Sequence, residues 1–363
     1  MKNIFILLVL FFSMSCIAPE QEQVDETQLP KNVIFMIGDG MGITQIQAAM
    51  TVNGNTLNFE RIHTIGLSKT SSSSSYITDS AAGATAFSIG KKTYNGAIGV
   101  NADTVAEKTI LEYAEEAGLA TGLVASSTIT HATPASFIAH QPSRQLYEEI
   151  AADFLNTDID VFIGGGKDNF TKRKDGLNLA DSLSAREYQV VFNLEDLRSI
   201  TEGKIAGLLN ADAMPPYSKG RGEMLAPAAL KAIEILNQNE AGFFLMIEGS
   251  QIDWGGHEND PEYTVSELLD FDKVIGSVLD FAEKDGNTLV IITADHETGG
   301  LTLPHGSDIL EDSTSTHFST THHTAVMVPV FAKGPGEDAF DGIYENTQIF
   351  DKIMFVLGLK KEG

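Results

Sequence analysis

The most constraining feature of this chain is a series of short apolar runs that end abruptly in polar residues. The first reads Val33-Ile34-Phe35-Met36-Ile37 and stops at Gly38-Asp39-Gly40-Met41-Gly42. Comparable runs lie at 122–125, 161–163, 189–192, 243–247, 289–293 and 326–331. Stretches with the apolar spacing of amphipathic helices lie between them, from 43 to 50 and at 104–117, 144–155, 224–237 and 263–283. A strand buried on both faces has no polar side, so it reads as a continuous apolar run rather than an alternation. Such strands alternating with helices predict an α/β fold, a mainly parallel sheet covered by helices on both faces. No internal repeat interrupts the pattern. The serine-rich tract at 70–75 reads as a mobile loop, and the polar stretch at 167–182 as a surface excursion.

In a parallel sheet the carboxyl ends of the strands form one rim, and ligands bind there. Asp39 follows the first run, and residues 126–131 with Thr133 follow another. Glu248 follows the run at 243–247, and Asp295-His296 follow that at 289–293. One such segment alone reads as a capping residue in a loop. Four, all carrying metal-ligand chemistry, point to a metal site on the rim. Asp253 and His257 stand at helical i, i+4 spacing, within reach of one ion, although Trp254-Gly255-Gly256 leaves a regular helix open. The pair His322-His323 precedes the run at 326–331 and supplies another imidazole. Asp39, Thr133 and Glu248 offer hard oxygens suited to magnesium.

The stretch Thr78-Asp79-Ser80-Ala81-Ala82 reads as a capped helix start, with Thr78 or Asp79 as the N-cap. Ser80 then falls in the first turn, where free N–H groups favour an anion, and is the nucleophile candidate. Arg144 offers a planar fork suited to bidentate recognition of phosphate.

Composition bounds the remaining classes. With 363 residues, 42% of them hydrophobic, the chain can bury a large core. That excludes a disordered chain and a small disulfide scaffold. Its formal net charge of −26 opposes nucleic-acid binding. The single cysteine, Cys16, allows no intramolecular disulfide. It follows Lys2, an apolar run at 4–12 and Ser13-Met14-Ser15. The run is too short to span a bilayer and reads as a signal peptide over 1–15. Two readings cut before Cys16: a lipoprotein signal, with lipid on Cys16, and ordinary signal cleavage. A polar tether over 16–30 then leads to one catalytic domain over 31–363. The expected location is periplasmic or at the cell surface, with a lipid anchor at Cys16.

Five of these segments together closely resemble the alkaline phosphatase family, in the family's order. They are Gly38-Asp39-Gly40-Met41-Gly42, Thr78-Asp79-Ser80-Ala81-Ala82, His131-Ala132-Thr133-Pro134, the segment from Glu248 to His257, and Thr293-Ala294-Asp295-His296-Glu297. The resemblance runs from about Asn32 to about Gly358 and is to the compact marine bacterial branch that includes cold-active members. It implies one zinc ion on Asp253, His257 and His323, and a second on Asp39, Asp295 and His296. It implies magnesium on Asp39, Thr133 and Glu248, Ser80 as nucleophile and Arg144 as phosphate clamp. His323 is preferred to His322 for its spacing to Lys333-Gly334-Pro335. His131 and Trp254 occupy family positions near magnesium and phosphate where many members carry Asp, and Lys or His.

The implied activity is hydrolysis of small phosphate monoesters through a phosphoserine, with inorganic phosphate as product and competitive inhibitor. The short chain implies reduced crown insertions and an open cleft, and the family habit is a homodimer. A phosphodiesterase side activity stays open. A sulfatase is disfavoured because the residues around Ser80 lack the Ser/Cys-x-Pro-x-Arg pattern. An ion-binding surface lipoprotein without catalysis would not need Ser80 or the imidazoles.

Overall fold

The computed structural model describes residues 29–304, 308–310 and 315–361. The expected signal peptide, Cys16 and all but the last two residues of the tether lie outside the described residues.

The apolar runs are strands of one sheet. In chain order the strands are β1 (Asn32–Gly38), β2 (Thr64–Lys69), β3 (Ala120–Thr128), β4 (Val161–Gly165), β5 (Gln189–Val191), β6 (Ile205–Leu208), β7 (Phe243–Gly249) and β8 (Thr288–Thr293). Four two-residue strands follow: β9 (Glu297–Thr298), β10 (Leu301–Thr302), β11 (His317–Phe318) and β12 (His323–Thr324). β13 (Val328–Lys333) and β14 (Gly342–Glu345) complete the set. The main sheet has ten strands in the order β14-β2-β13-β8-β1-β7-β3-β4-β6-β5, while β10 pairs with β11 and β9 with β12. β13 runs antiparallel to both β2 and β8. The other ladders described in this sheet are parallel.

Every residue of β1, β3, β4, β7 and β8 is buried, which is why these strands appear in the sequence as apolar runs. Alternate residues of β1 feed opposite layers. Val33, Phe35 and Ile37 pack in one core with Phe87, Leu111 and Ile353. Ile34 and Met36 pack in the other with Ala232, Leu268 and Val274. The chain leaves β1 for β2, beyond β13, and returns to β3 on the far side of β7. The loops after β1, β7 and β8 therefore open around one crevice, at the point where the strand order reverses.

Three expectations need correction. The helical stretch at 104–117 is helical only over Ile110–Glu116. Thr104 has φ +62, and Thr109 caps the helix reciprocally with Glu112. The stretch at 144–155 is helical only over Tyr147–Asp153, because the Arg144 N–H donates to Gly96 O at 2.7 Å and pulls that segment off the helical path. The stretch at 167–182 is more than a surface excursion. It forms the helices Lys167–Thr171 and Leu179–Ser184, whose Phe170, Leu179 and Leu183 enter the core.

Candidate active site

Asp39 directly follows β1 and is fully buried. Its neighbour Gly40 has φ +74, and a Cβ there would lie 2.7 Å from the Asp253 Cα. Glycine thus allows both the turn and the close approach of the helix Ile252–Glu258. That helix is regular through Gly255 and Gly256, so Asp253 and His257 share a face. The Gly40 N–H donates to Asp295 Oδ1 at 3.2 Å, which ties the end of β1 to the end of β8. Glu248, on β7, takes the Ser250 and Ser127 hydroxyls on Oε2 at 2.5 and 3.3 Å. Thr133 lies in the short helix Ala132–Ala135 that follows β3.

Three groups of ligand-type atoms result, and within each group they lie within 4.8 Å of one another: Asp253, His257 and His323; Asp39, Asp295 and His296; and Asp39, His131 and Glu248. The imidazoles are oriented for coordination. His257 Nδ1 meets Thr321 O at 2.7 Å, and His323 Nδ1 meets Thr78 O at 2.9 Å. A carbonyl only accepts, so each Nδ1 carries a proton and each Nε2 turns inward. Those two Nε2 atoms lie 3.1 Å apart. His296 Nδ1 contacts the Thr298 hydroxyl at 3.2 Å, and the same hydroxyl donates to Asp253 Oδ1. Thr298 thereby links the first two groups.

The electrostatics fit divalent cations. Asp39, Glu248 and Asp295 are wholly buried and Asp253 nearly so. Both Asp39 carboxylate oxygens, the Thr133 hydroxyl and Glu248 Oε1 are buried without a hydrogen-bond partner among the described residues. Burial, then the charge of Asp295, raises the Asp39 carboxyl well above the usual range. Burial and the charge of Asp295 push Glu248 up to about 7, against hydrogen bonds from Ser250 and Ser127. Burial would also raise Asp253, but His257 and His323 outweigh it and hold that carboxyl well below the usual range. Asp39 and Glu248, raised in this way, hold their full charge near neutral pH only when cations are supplied.

Ser80 opens the helix Ser80–Ile89 and is 1% exposed. Its Oγ lies 3.3 Å from His296 Nε2. Asp79 is the N-cap, and its Oδ1 accepts the N–H groups of Ala82 and Gly96, each at 3.0 Å. Its Oδ2 accepts from Arg144 Nη1 at 3.0 Å, so the residue that starts the helix also aims the guanidinium. Arg144 Nη2 donates to His131 Nε2 at 3.2 Å. Burial and the nearby Arg144 charge hold His131 down to about 3, so its ring is neutral. Its edge contact with Trp254 has a 5.9 Å centroid separation. Asp79→Ala is expected to raise the inhibition constant of inorganic phosphate about tenfold, because Arg144 loses its preset orientation. The lost cap should also cost about 1 kcal/mol of stability. Inhibition assays and thermal unfolding check the two effects.

Ser80, Arg144, the eight ligand-type residues, His131 and Trp254 all reach this crevice from distant parts of the chain. His323 joins Asp253 and His257, whereas His322 and His317 are exposed and join none of the three groups. Sequence reasoning missed the anchoring roles of Asp79, Thr298 and Glu297. Buried Glu297 takes Gln45 Nε2 and the Thr324 hydroxyl, which fixes the strand bearing His323. Asp79 was legible as a candidate cap of the helix, whereas its bond to Arg144 was not.

A serine at a helix start, facing clustered carboxylates and imidazoles on the carboxyl rim of a parallel sheet, defines a metal-binding hydrolase of the phosphoryl-transfer type. The alkaline phosphatase family model matches residues 30–316. Alkaline phosphatase 4 of Bacillus subtilis is 34% identical, covering 92% of this chain and 89% of its own. A mutant of alkaline phosphatase from the Antarctic bacterium TAB5, solved with magnesium bound, is 47% identical with a TM-score of 0.87, over 92% of this chain and 99% of that one. The cold-active alkaline phosphatase of a psychrophilic Shewanella is 32% identical with a TM-score of 0.83, over 90% and 99%. This chain belongs to the alkaline phosphatase family, whose members hydrolyse phosphate monoesters.

Proposed function

We propose that this chain releases inorganic phosphate and an alcohol from phosphate monoesters through a phosphoserine on Ser80. The observation that carries this reading is Ser80 Oγ, set 3.3 Å from His296 Nε2 on a helix whose cap holds Arg144. Asp253, His257 and His323 would hold one zinc ion, and Asp39, Asp295 and His296 a second. Asp39, Thr133 and Glu248 would hold magnesium, filling the unpartnered oxygens of all three. Bound cations supply the charge that lowers the Ser80 hydroxyl pKa and offsets charge on the entering and departing oxygens.

The protein's own groups do the positioning. Arg144 donates to two non-bridging phosphate oxygens, in the orientation Asp79 sets. The free N–H groups at the start of the Ser80–Ile89 helix face the same anion. Ser80 Oγ forms its bond to phosphorus as the ester P–O bond breaks and the alcohol departs with a proton. Water then displaces Ser80, and phosphate leaves. Two in-line displacements give net retention at phosphorus. The product meets the same groups as the substrate, so phosphate inhibits competitively. Acid quenching during turnover of a radiolabelled monoester is expected to leave label on the Ser80 peptide. Label on no serine sinks the phosphoserine route.

Export and association complete the proposal. Cleavage before Cys16 and lipid on its thiol would tether the domain to a periplasmic or cell-surface membrane. Cys16→Ala protein should then move to the soluble fraction, and unchanged membrane association removes the anchor. Exposed Ile43, Tyr76, Val326 and Met327 border one apolar recess, a face suited to a second copy. Light scattering is expected to give a dimer mass, and a monomer mass overturns the homodimer.

A further inference from the structure

The groups that meet phosphate are accounted for, but the wall beside them is not. Next to Arg144 lies a recess of about 440 Å³, lined by Thr128, His131, Tyr147, Asn169, Asp212 and Trp254. A second recess of about 470 Å³ shares Tyr147 and Asn169 with it and extends the groove toward Arg173 and Lys174. Both fall in the roughly 300–1,000 Å³ range of small-molecule sites. Two residues join the first recess to the reacting centre. Trp254 directly follows Asp253, and His131 accepts from Arg144. An alcohol leaves phosphorus on the side away from Ser80, toward Asp253, His257 and His323. Trp254, which follows Asp253 on the helix Ile252–Glu258, forms one wall of this recess.

The lining is selective in its chemistry. Trp254 and Tyr147 are half-buried and border the cavity with aromatic surface. Asn169 Nδ2 is committed to the Thr130 hydroxyl at 2.7 Å, while its Oδ1 accepts nothing among the described residues. The exposed Asp212 carboxylate likewise has no hydrogen-bond or ion-pair partner among them. The recess thus combines aromatic surface with oxygen acceptors that lack donors. A ring with an apolar C–H face and several hydroxyl donors satisfies both. An aliphatic chain leaves the acceptors unanswered, and an anionic substituent is repelled by Asp212.

We propose that this recess is a subsite for the alcohol part of the substrate and that it favours sugar-like polyols. Their hydroxyls donate to Asp212 and to Asn169 Oδ1, and their C–H face lies on Trp254 and Tyr147. The proposal rests on the phosphomonoesterase reading above and sharpens the broad specificity expected of an open cleft.

The test compares kcat/KM for glucose 6-phosphate and hexyl phosphate, both esters of primary alcohols, so the chemical step is matched. The ratio is taken within each protein, so differences in folded fraction cancel. The unmodified chain is expected to favour the sugar ester about tenfold or more. Asp212→Ala should bring the ratio close to one, and Asp212→Asn, which keeps one acceptor, should fall between. A ratio near one in the unmodified chain, or the same ratio in all three proteins, overturns the subsite. Failure of the underlying reading looks different: neither ester is turned over at all.

Discussion

Ser80→Ala is expected to lower kcat/KM at least about a thousandfold while bound metal and fold are kept. The fold should survive because the change is small and local. Alanine is the better helix former, and Asp79, which caps the helix, is untouched. The carboxylates and imidazoles of all three clusters are untouched by the change. What disappears is the one oxygen placed to bond phosphorus 3.3 Å from His296 Nε2. Arg144 and its Asp79 partner remain, so substrate still binds, and slow direct attack by water sets the residual rate. Metal analysis, thermal unfolding and steady-state kinetics on one preparation check all three parts. Turnover within tenfold of the parent, with metals in place, would falsify Ser80 as the nucleophile.

The strands that carry the site were legible in the sequence because burial on both faces removes every polar position. β1, β7 and β8 show this most clearly, and each delivers a carboxylate to the rim at or just past its carboxyl end. β2 and β14 were invisible for the opposite reason. They lie at one edge, are only partly buried, and mix small, polar and charged residues. β6 is fully buried but only four residues long, too short to stand out from a loop. The antiparallel course of β13 has no local signature, since its run resembles its parallel neighbours. Helix limits failed where a single distant bond decided them. No periodicity announces that the Arg144 N–H will meet Gly96 O.

The site divides in the same way. Ligand-type residues sit on strand ends or at helical spacing, patterns visible within a few positions. The groups that orient them are separated by long stretches of chain. Thr298 reaches Asp253 across 45 residues, Gln45 reaches Glu297 across 252, and Asp79 meets Arg144 across 65. Such pairs are products of the fold, and the residue types involved are ordinary on any surface. The choice between His322 and His323 shows the boundary. Both precede the same run, but only His323 turns toward Asp253, through a strand pairing that Glu297 secures.

Removing the divalent ions is expected to abolish turnover and to lower Tm, by an amount that grows from about pH 6 to about pH 9. The sign follows from the metal-free electrostatics. Glu248 is raised to about 7 by burial and the charge of Asp295, and Asp39 is raised well above its usual range by burial and the same neighbour. A carboxyl whose folded pKa exceeds its unfolded one stabilises the fold at low pH. It loses that contribution as pH rises through the folded value. His257 is raised to about 9 by its hydrogen bond to Asp253, despite burial. An imidazolium of that kind stabilises the fold below its ordinary value of about 6.5 and stops doing so above about 9. All three groups therefore weaken the metal-free protein in the same direction as pH increases. The loaded protein behaves oppositely, since ions bind the deprotonated ligands and bind them better at higher pH. At a thousandfold excess over Kd, one such ion contributes about 4 kcal/mol to stability. Thermal unfolding with and without chelator across the pH range measures the gap, and zinc with magnesium should restore both Tm and turnover. A gap that stays constant or narrows with pH would mean that the buried carboxylates do not depend on cations for their charge, and the metal roles of Asp39 and Glu248 would fall together.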